Sequence, residues 1–213
     1  MLVGERMSHP VITVPPEMPI QEALNLFRSE HIRRAPVVKN GKMVGIVSES
    51  DILNASPSAA TTLSMWELNY LLSKITVEKV MRKDVLTVDS DCPIEEAARI
   101  MADNKVGGLP VMEGKKVVGI ITETDLFKIF LELMGAREKG VRITVSIPDK
   151  PGQFARIGKA LGDLNANIIA MTTFLGRDTA SRTVTIKVVG LSKKQVKDVV
   201  APLVEEVLDV REM

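Results

Sequence analysis

Residues 7–53 of this chain lie over residues 81–127 without a gap, Met7 falling on Met81. Roughly a third of the paired positions are identical, and most of the others keep their apolar or polar character, which marks two copies of one structural unit. The copies close on almost the same phrase, "GIVSESD" at 45–51 and "GIITETD" at 119–125. A repeat of this kind rules out reading the first two thirds of the chain as one unrelated fold.

Each copy parses alike. The β-branched runs "VITV" (11–14) and "VLTV" (85–88) read as opening strands. Pro19 and Pro93 suit the first position of a helix, where no amide hydrogen is missed. Ile20, Ala23, Leu24 and Phe27 then recur at helical spacing, as do Ile94, Ala97, Ala98 and Met101. "APVVKNGKMVGIVS" and "LPVMEGKKVVGIIT" read as hairpins turning at Asn40-Gly41 and Gly114. Second helices start near Asp51 and Asp125, so the unit is β-α-β-β-α. A sheet this small needs a partner for its other face, and the two copies are expected to pack together. Between them, Ser64-Met65-Trp66-Glu67 forms a capping box flanked by Leu63 and Leu68, opening a helix that carries the chain's one Trp and one Tyr, Trp66 and Tyr70. These rings serve either core packing or a dimer contact.

The rest of the composition narrows the function. Hydrophobic residues make up 45% and aromatics 3%, so the core is built from aliphatic side chains and Met. The 28 basic residues nearly match the 27 acidic ones, and a net charge of +1 exerts no general pull on nucleic acid or membrane. One cysteine, Cys92, forms no internal disulfide, and with His9 and His31 it makes a poor zinc set. The N-terminus lacks the apolar run of a signal peptide, and no apolar stretch approaches a bilayer span. A cytoplasmic protein is expected. No nucleophile–base pair, paired-carboxylate motif, phosphate loop or metal box stands out, so an enzyme is not expected.

Ser48-x-x-Asp51 and Thr122-x-x-Asp125 each match a helix capping box, which needs no ligand. The whole unit nevertheless resembles the cystathionine-β-synthase (CBS) domain, and the tandem resembles a CBS-domain pair. "VGERM" and "VEKVM", "APVV" and "LPVM", and the two closing phrases carry the resemblance. It implies a cleft between the copies that holds an adenosine-type ligand (AMP, ATP or S-adenosylmethionine). Ser48 with Asp51, and Thr122 with Asp125, would hold the ribose of two sites. Ile12, Thr13, Leu86 and Thr87 on the opening strands would flank the base, with Ala35, Pro36, Val37, Leu109, Pro110 and Val111. Arg33 and Arg34 match the basic positions that meet phosphate in such pairs, whereas Gly107 and Gly108 do not. The alternative for the two arginines is an exposed helix-to-strand turn, and for His31 a surface or capping residue.

"MGAREKG" (134–140) is small, charged and glycine-flanked, and reads as a linker. Beyond it Val141, Ile143, Val145 and Ile147 alternate as a half-buried strand. Phe154, Ile157, Leu161 and Leu164 are spaced for a helix. "NIIAMTTFL" and "RTVTIKVV" are strands around "GRDTAS", Ser192 caps a helix expected to run through Val204, and "EVLDVREM" is a last strand. That order, β-α-β-β-α-β, is ferredoxin-like. "IPDKPGQFARIGKAL…NANI" resembles the ACT domain on Asp149, Pro151, Gly152, Phe154, Asn167 and Ile168. The resemblance implies a regulatory module that dimerises and binds an amino acid through those residues and Gln153. Turn chemistry alone also explains Asp-Lys-Pro-Gly.

The expected architecture is therefore α/β (α+β): two β-α-β-β-α CBS repeats packed as a pair, then a ferredoxin-like ACT domain. The first repeat occupies 1–60, a linker helix and second repeat 61–135, a linker 136–140 and the ACT domain 141–213. The CBS–CBS–ACT order is similar to that of the acetoin-utilisation regulatory proteins. It implies a non-catalytic, self-associating ligand sensor without nucleic-acid or membrane partners. The other class consistent with the sequence is a structural dimeriser with vestigial ligand sites.

Overall fold

The computed structural model describes residues 1–55 and 74–213. The capping box at Ser64–Glu67, Trp66 and Tyr70 lie outside the described residues. The chain divides into two compact units, Met1–Leu126 and Phe127–Met213.

In the first unit each copy contributes a helix, a hairpin and a second helix. The first has α1 (Ile20–Ser29), β1 (Arg34–Lys39), β2 (Lys42–Ser48) and α2 (Glu49–Ala55). A short helix, α3 (Val77–Val80), and a two-residue strand, β3 (Val88–Asp89), precede α4 (Ile94–Asn104), β4 (Gly108–Glu113), β5 (Lys116–Thr122) and α5 (Glu123–Leu133). The hairpins are antiparallel and carry matching register shifts, between Val37 and Val38 and between Val111 and Met112. Asn40 and Gly41 take positive φ at the first turn, and Gly114 at the second, as primed hairpin turns require.

The opening strands are shorter than the β-branched runs suggest. "VITV" supplies only a parallel bridge from Val14 to Val37, and "VLTV" the two residues of β3, with Val88 beside Val111. Proline at positions 10, 15 and 16 removes amide donors on both sides of the first run, which limits its ladder. Pro19 and Pro93 stand one step before the helices, as N-cap residues.

The two copies exchange their leading segments. Val77 is buried in the first copy's core with Val14, Phe27, Val37 and Ile52. Val3 is buried in the second copy's core with Val88, Met101, Leu109 and Ile121. Backbone bonds fix the exchange at equivalent places. Val3 donates to the Cys92 carbonyl (2.9 Å) and Gly4 to that of Ser90 (2.8 Å), while Val77 donates to Met18 (2.9 Å) and Glu78 to Pro16 (2.9 Å). Ser8 then pairs antiparallel with Ile120, and Arg82 with Ile46. Close passage is possible because β2 and β5 carry glycine there. A Cβ on Gly45 would lie 2.7 Å from the Arg82 carbonyl oxygen, and one on Gly119 would overlap the Met7 sulfur.

The second unit is a four-stranded antiparallel sheet with β6 (Val141–Pro148) and β8 (Ser181–Val189) central, and β7 (Asn167–Leu175) and β9 (Glu206–Glu212) at the edges. Helices α6 (Gln153–Gly162) and α7 (Lys193–Val200) bury Ile157, Leu161, Val196 and Val200 against Ile143, Val145, Val184 and Ile186. This is the ferredoxin-like arrangement. The helix is shorter than the apolar spacing implies: α6 ends at Gly162, before Leu164, and Phe154 and Leu164 are exposed. Ser192 does cap α7, with Gln195 completing the box, but the α-helix stops at Val200 and a 3₁₀ turn carrying Pro202 follows. Lys187, on the sheet's polar face, is buried to 2% exposure and donates to the Gly135 carbonyl (2.8 Å). The segment after α5 is thereby tied to the sheet.

Candidate functional site

Each closing phrase forms its expected capping box. The Asp51 carboxylate accepts from the Ser48 amide (2.9 Å) and from the Ser48 hydroxyl. The Asp125 carboxylate accepts from the Thr122 amide (3.0 Å) and hydroxyl (2.7 Å). In both, one oxygen, Oδ2, takes the cap bonds. The geometry therefore satisfies helix capping while leaving Oδ1 of Asp51 directed elsewhere.

That second oxygen receives Arg82, whose Nε and Nη2 both lie 3.3 Å away. Arg82 is delivered by the exchanged segment pairing with Ile46. Asp51 and Arg82 line a cavity of about 360 Å³ together with Arg33, Arg34, Ser48 and the stretch Lys105–Gly108. A volume of a few hundred Å³ is the scale of small-ligand sites. Four cationic side chains border it, with two carboxylates among them, Asp51 and Glu49.

Arg34 reaches the cavity across the second copy. Its guanidinium passes so close to Gly107 that a Cβ there would overlap Nη2, and a Cβ on Gly108 would lie 3.1 Å from its Cδ. Burial pushes the Arg34 guanidinium below its ordinary pKa, and the Glu123 carboxylate opposes that shift. Arg33 Nη2 donates to the Thr124 hydroxyl (3.0 Å), at the start of α5. The glycine pair that lacks phosphate-binding chemistry of its own is thus the notch that admits the first copy's arginine.

The remaining sequence-derived residues divide. Ala35, Pro36, Val37, Leu109, Pro110 and Val111 are buried in β1 and β4. Ile12 is half-buried and Thr13 exposed; Thr13 borders a different cavity of about 390 Å³, with Val11, Val38 and Val118. Leu86 and Thr87 are exposed. Asp125 is only 6% exposed. Arg82 and Lys105 were missed by motif reasoning. Their signal lies in the alignment of the copies, where Arg82 replaces Ser8 and Lys105 replaces His31.

In the second unit Gly152 takes φ +85° at the N-cap of α6, with Gln153 half-buried and Phe154 45% exposed. Asp149 accepts from Arg182 Nε (2.9 Å). Asn167 and Ile168 open β7 opposite Val189 and Val188, whereas the end of β6 leading to Asp149 pairs with Ser181. Those points on β8 are about 25 Å apart at ~3.3 Å per residue. One chain does not bring the glycine turn and the Asn167 end together. Among the described residues no group of three or more His, Cys, Asp or Glu is placed to hold a metal, and no helix is long and apolar enough to cross a membrane.

The paired repeats, the exchanged segments and the two carboxylate-bearing helix ends define a tandem α/β repeat followed by a ferredoxin-like domain. The chain belongs to the CBS-domain family: the CBS domain model matches residues 3–58 and 77–132, and the TTHA0829-like ACT domain model matches 139–211. Both are regulatory modules. Among solved structures, it is similar to a Vibrio cholerae protein assigned to acetoin utilization (30% identity, TM-score 0.54, 64% of this chain and 95% of that one). It is also similar to a CBS domain pair in complex with 5′-methylthioadenosine and S-adenosyl-L-methionine (29%, TM-score 0.52, 65% and 98%). A third similar structure is CBSX2 in complex with AMP (28%, TM-score 0.50, 61% and 96%). The chain spans 38% and 47% of two curated, uncharacterised Methanocaldococcus jannaschii relatives, to which it is 37% identical over 128 residues and 28% identical over 137 residues.

Proposed function

We propose that this chain is a non-catalytic, cytoplasmic ligand sensor. In this reading an adenosine-type nucleotide binds the clefts of the CBS pair, with Asp51 and Asp125 holding ribose hydroxyls. The observation that carries it is the Asp51 cavity, where a carboxylate with one oxygen outside its cap faces four cationic side chains. Helix capping explains Oδ2 and accounts for none of the cations. Similar pairs that hold AMP, S-adenosylmethionine and methylthioadenosine support the ligand class. A ligand here regulates only through unequal affinity for two arrangements of the pair.

The ACT domain serves as the self-association module. β7 is an edge strand with Phe174 47% and Leu175 81% exposed, a surface that a second copy's edge would cover. Because Gly152 and Asn167 lie at opposite ends of one sheet, an amino acid would bind where Asp149, Gly152, Gln153 and Phe154 of one copy meet Asn167 and Ile168 of another. Light scattering is expected to give a dimer or larger at micromolar concentration; a monomer removes this half of the reading.

Thermal shift and calorimetry with adenosine, AMP, ATP and S-adenosylmethionine test the nucleotide half. At 100 times its dissociation constant a ligand adds ~2.7 kcal/mol of stability. Asp51→Ala is expected to weaken binding by about ten- to a hundredfold at one class of site, the loss of a hydrogen bond to a charged group. Asp125→Ala is expected to do so at the other. Each also loosens a cap by ~1 kcal/mol, so apo stability is measured alongside. Loss of apo stability without any nucleotide response would leave the structural dimeriser as the function.

A further inference from the structure

Arg82 stands out against the symmetry of the pair. Its counterpart in the first copy is Ser8, and the backbone at both positions makes the same crossing, Arg82 with Ile46 and Ser8 with Ile120. The side chain is therefore not needed for the crossing. It lies 67% exposed at the cavity mouth and points its Nε and Nη2 at Asp51 Oδ1, whose side chain is 14% exposed. The oxygen it occupies is the one the cap leaves over. An incoming ribose hydroxyl and Arg82 compete for the same acceptor.

We propose that the Asp51 cavity selects nucleoside phosphates, and that Arg82 is the residue that makes the selection. This rests on the adenosine-site reading above. In this structure Arg82 pairs with Asp51. When ribose takes Oδ1, the guanidinium is displaced into a cavity already bordered by Arg33, Arg34 and Lys105. A neutral nucleoside leaves four cations facing two carboxylates, Asp51 and Glu49, and so leaves an excess of positive charge. A phosphate supplies the anion that Arg82 has lost, in charge-assisted and bidentate geometry. S-adenosylmethionine sets one carboxylate against a sulfonium and an ammonium, so it brings a net positive charge where a phosphate brings a net negative one. Ligand class is thus read by what happens to the displaced arginine.

The exchange is cheap enough to occur. An ion pair this exposed contributes only a fraction of what a buried pair does, so ribose does not have to break a strong contact. The replacement contact offers the guanidinium two phosphate oxygens in a bidentate pair, where Asp51 offers Nε and Nη2 the single oxygen Oδ1.

Calorimetry of adenosine, AMP, ATP and S-adenosylmethionine against wild type and Arg82→Ala tests the proposal, with circular dichroism to establish that the variant is folded. Wild type is expected to prefer AMP and ATP over adenosine, and S-adenosylmethionine to bind weakest. In Arg82→Ala, adenosine is expected to bind equally well or about two- to fivefold tighter, because the competing pair is gone. AMP and ATP are expected to bind about tenfold weaker. A merely structural role would weaken every probe by one factor, and an unchanged AMP-to-adenosine ratio overturns the proposal. The underlying reading fails differently: no probe then binds wild type or Arg82→Ala at millimolar concentration, and the selection proposal falls with it.

Discussion

The two copies of the repeated unit agree in backbone and differ in charge. Equivalent amides donate to equivalent carbonyls: Val3 and Val77 to Cys92 and Met18, and Glu123 and Glu49 to Gly107 and Arg33. Both boxes close, on Asp51 and on Asp125. Yet Arg33, Arg34 and Arg82 have Gly107, Gly108 and Ser8 as their counterparts. The pairing bonds constrain main-chain positions that any side chain could occupy. Arg33, Gly107 and Arg82 border the cavity and take part in these bonds through their backbones, so the copies diverge there in side chain alone.

The largest effect that would sharpen this comparison lies at the paired glycines of β2 and β5. In Gly45→Ala the new Cβ meets the Arg82 carbonyl at 2.7 Å, a backbone atom held in its own bridge to Ile46. In Gly119→Ala it meets the end of the flexible Met7 side chain. Overpacking costs about 1–3 kcal/mol, and Gly45→Ala is expected near the top of that range with Gly119→Ala near the bottom. Urea unfolding midpoints measure both. Equal losses would mean that Met7 is as fixed as the backbone, and that the two crossings are alike mechanically as well as geometrically.

A smaller effect is expected at the notch. In Gly107→Ala the Cβ displaces the ends of two flexible side chains, Arg34 and Glu123. Stability is expected to fall by less than about 1 kcal/mol, in the range of mutations that touch only movable groups. AMP affinity is expected to fall severalfold, because Arg34 no longer crosses freely to the Asp51 cavity. Unchanged AMP binding with normal stability would show that the asymmetry of the notch carries no function.

Much of this was legible in the residues. The repeat, the two hairpins and the α1 stripe follow from local rules: Asn-Gly at a turn, and apolar spacing of 3.6 along a helix. The ferredoxin-like order of the second unit follows in the same way. Propensity overestimated both opening strands; at the first it weighed Val, Ile and Thr without the amides that Pro10, Pro15 and Pro16 remove, and nothing in the structure explains the shortness of the second. The spacing of Phe154, Ile157, Leu161 and Leu164 marks a helix without telling which of the four are buried, and only Ile157 and Leu161 are. The exchange of Val3 and Val77 is non-local, and no pattern within either copy encodes it. Arg82 and Lys105 match no motif and emerge only as mismatches between the copies. Lys187 is legible as a strand residue, but its burial depends on Gly135, which lies in a run read as a linker.

The exchanged segments also change what it means to cut this chain. Residues 1–8 plug the second copy and residues 77–82 plug the first, so a nick anywhere between Ala55 and Lys74 separates no complete half from another. Each fragment would still hold the other's missing piece. A lone repeat, made without its sibling, would present an empty slot and a loose plug, and two such molecules could satisfy one another by trading. The smallest self-sufficient particle in this part of the protein is the couple.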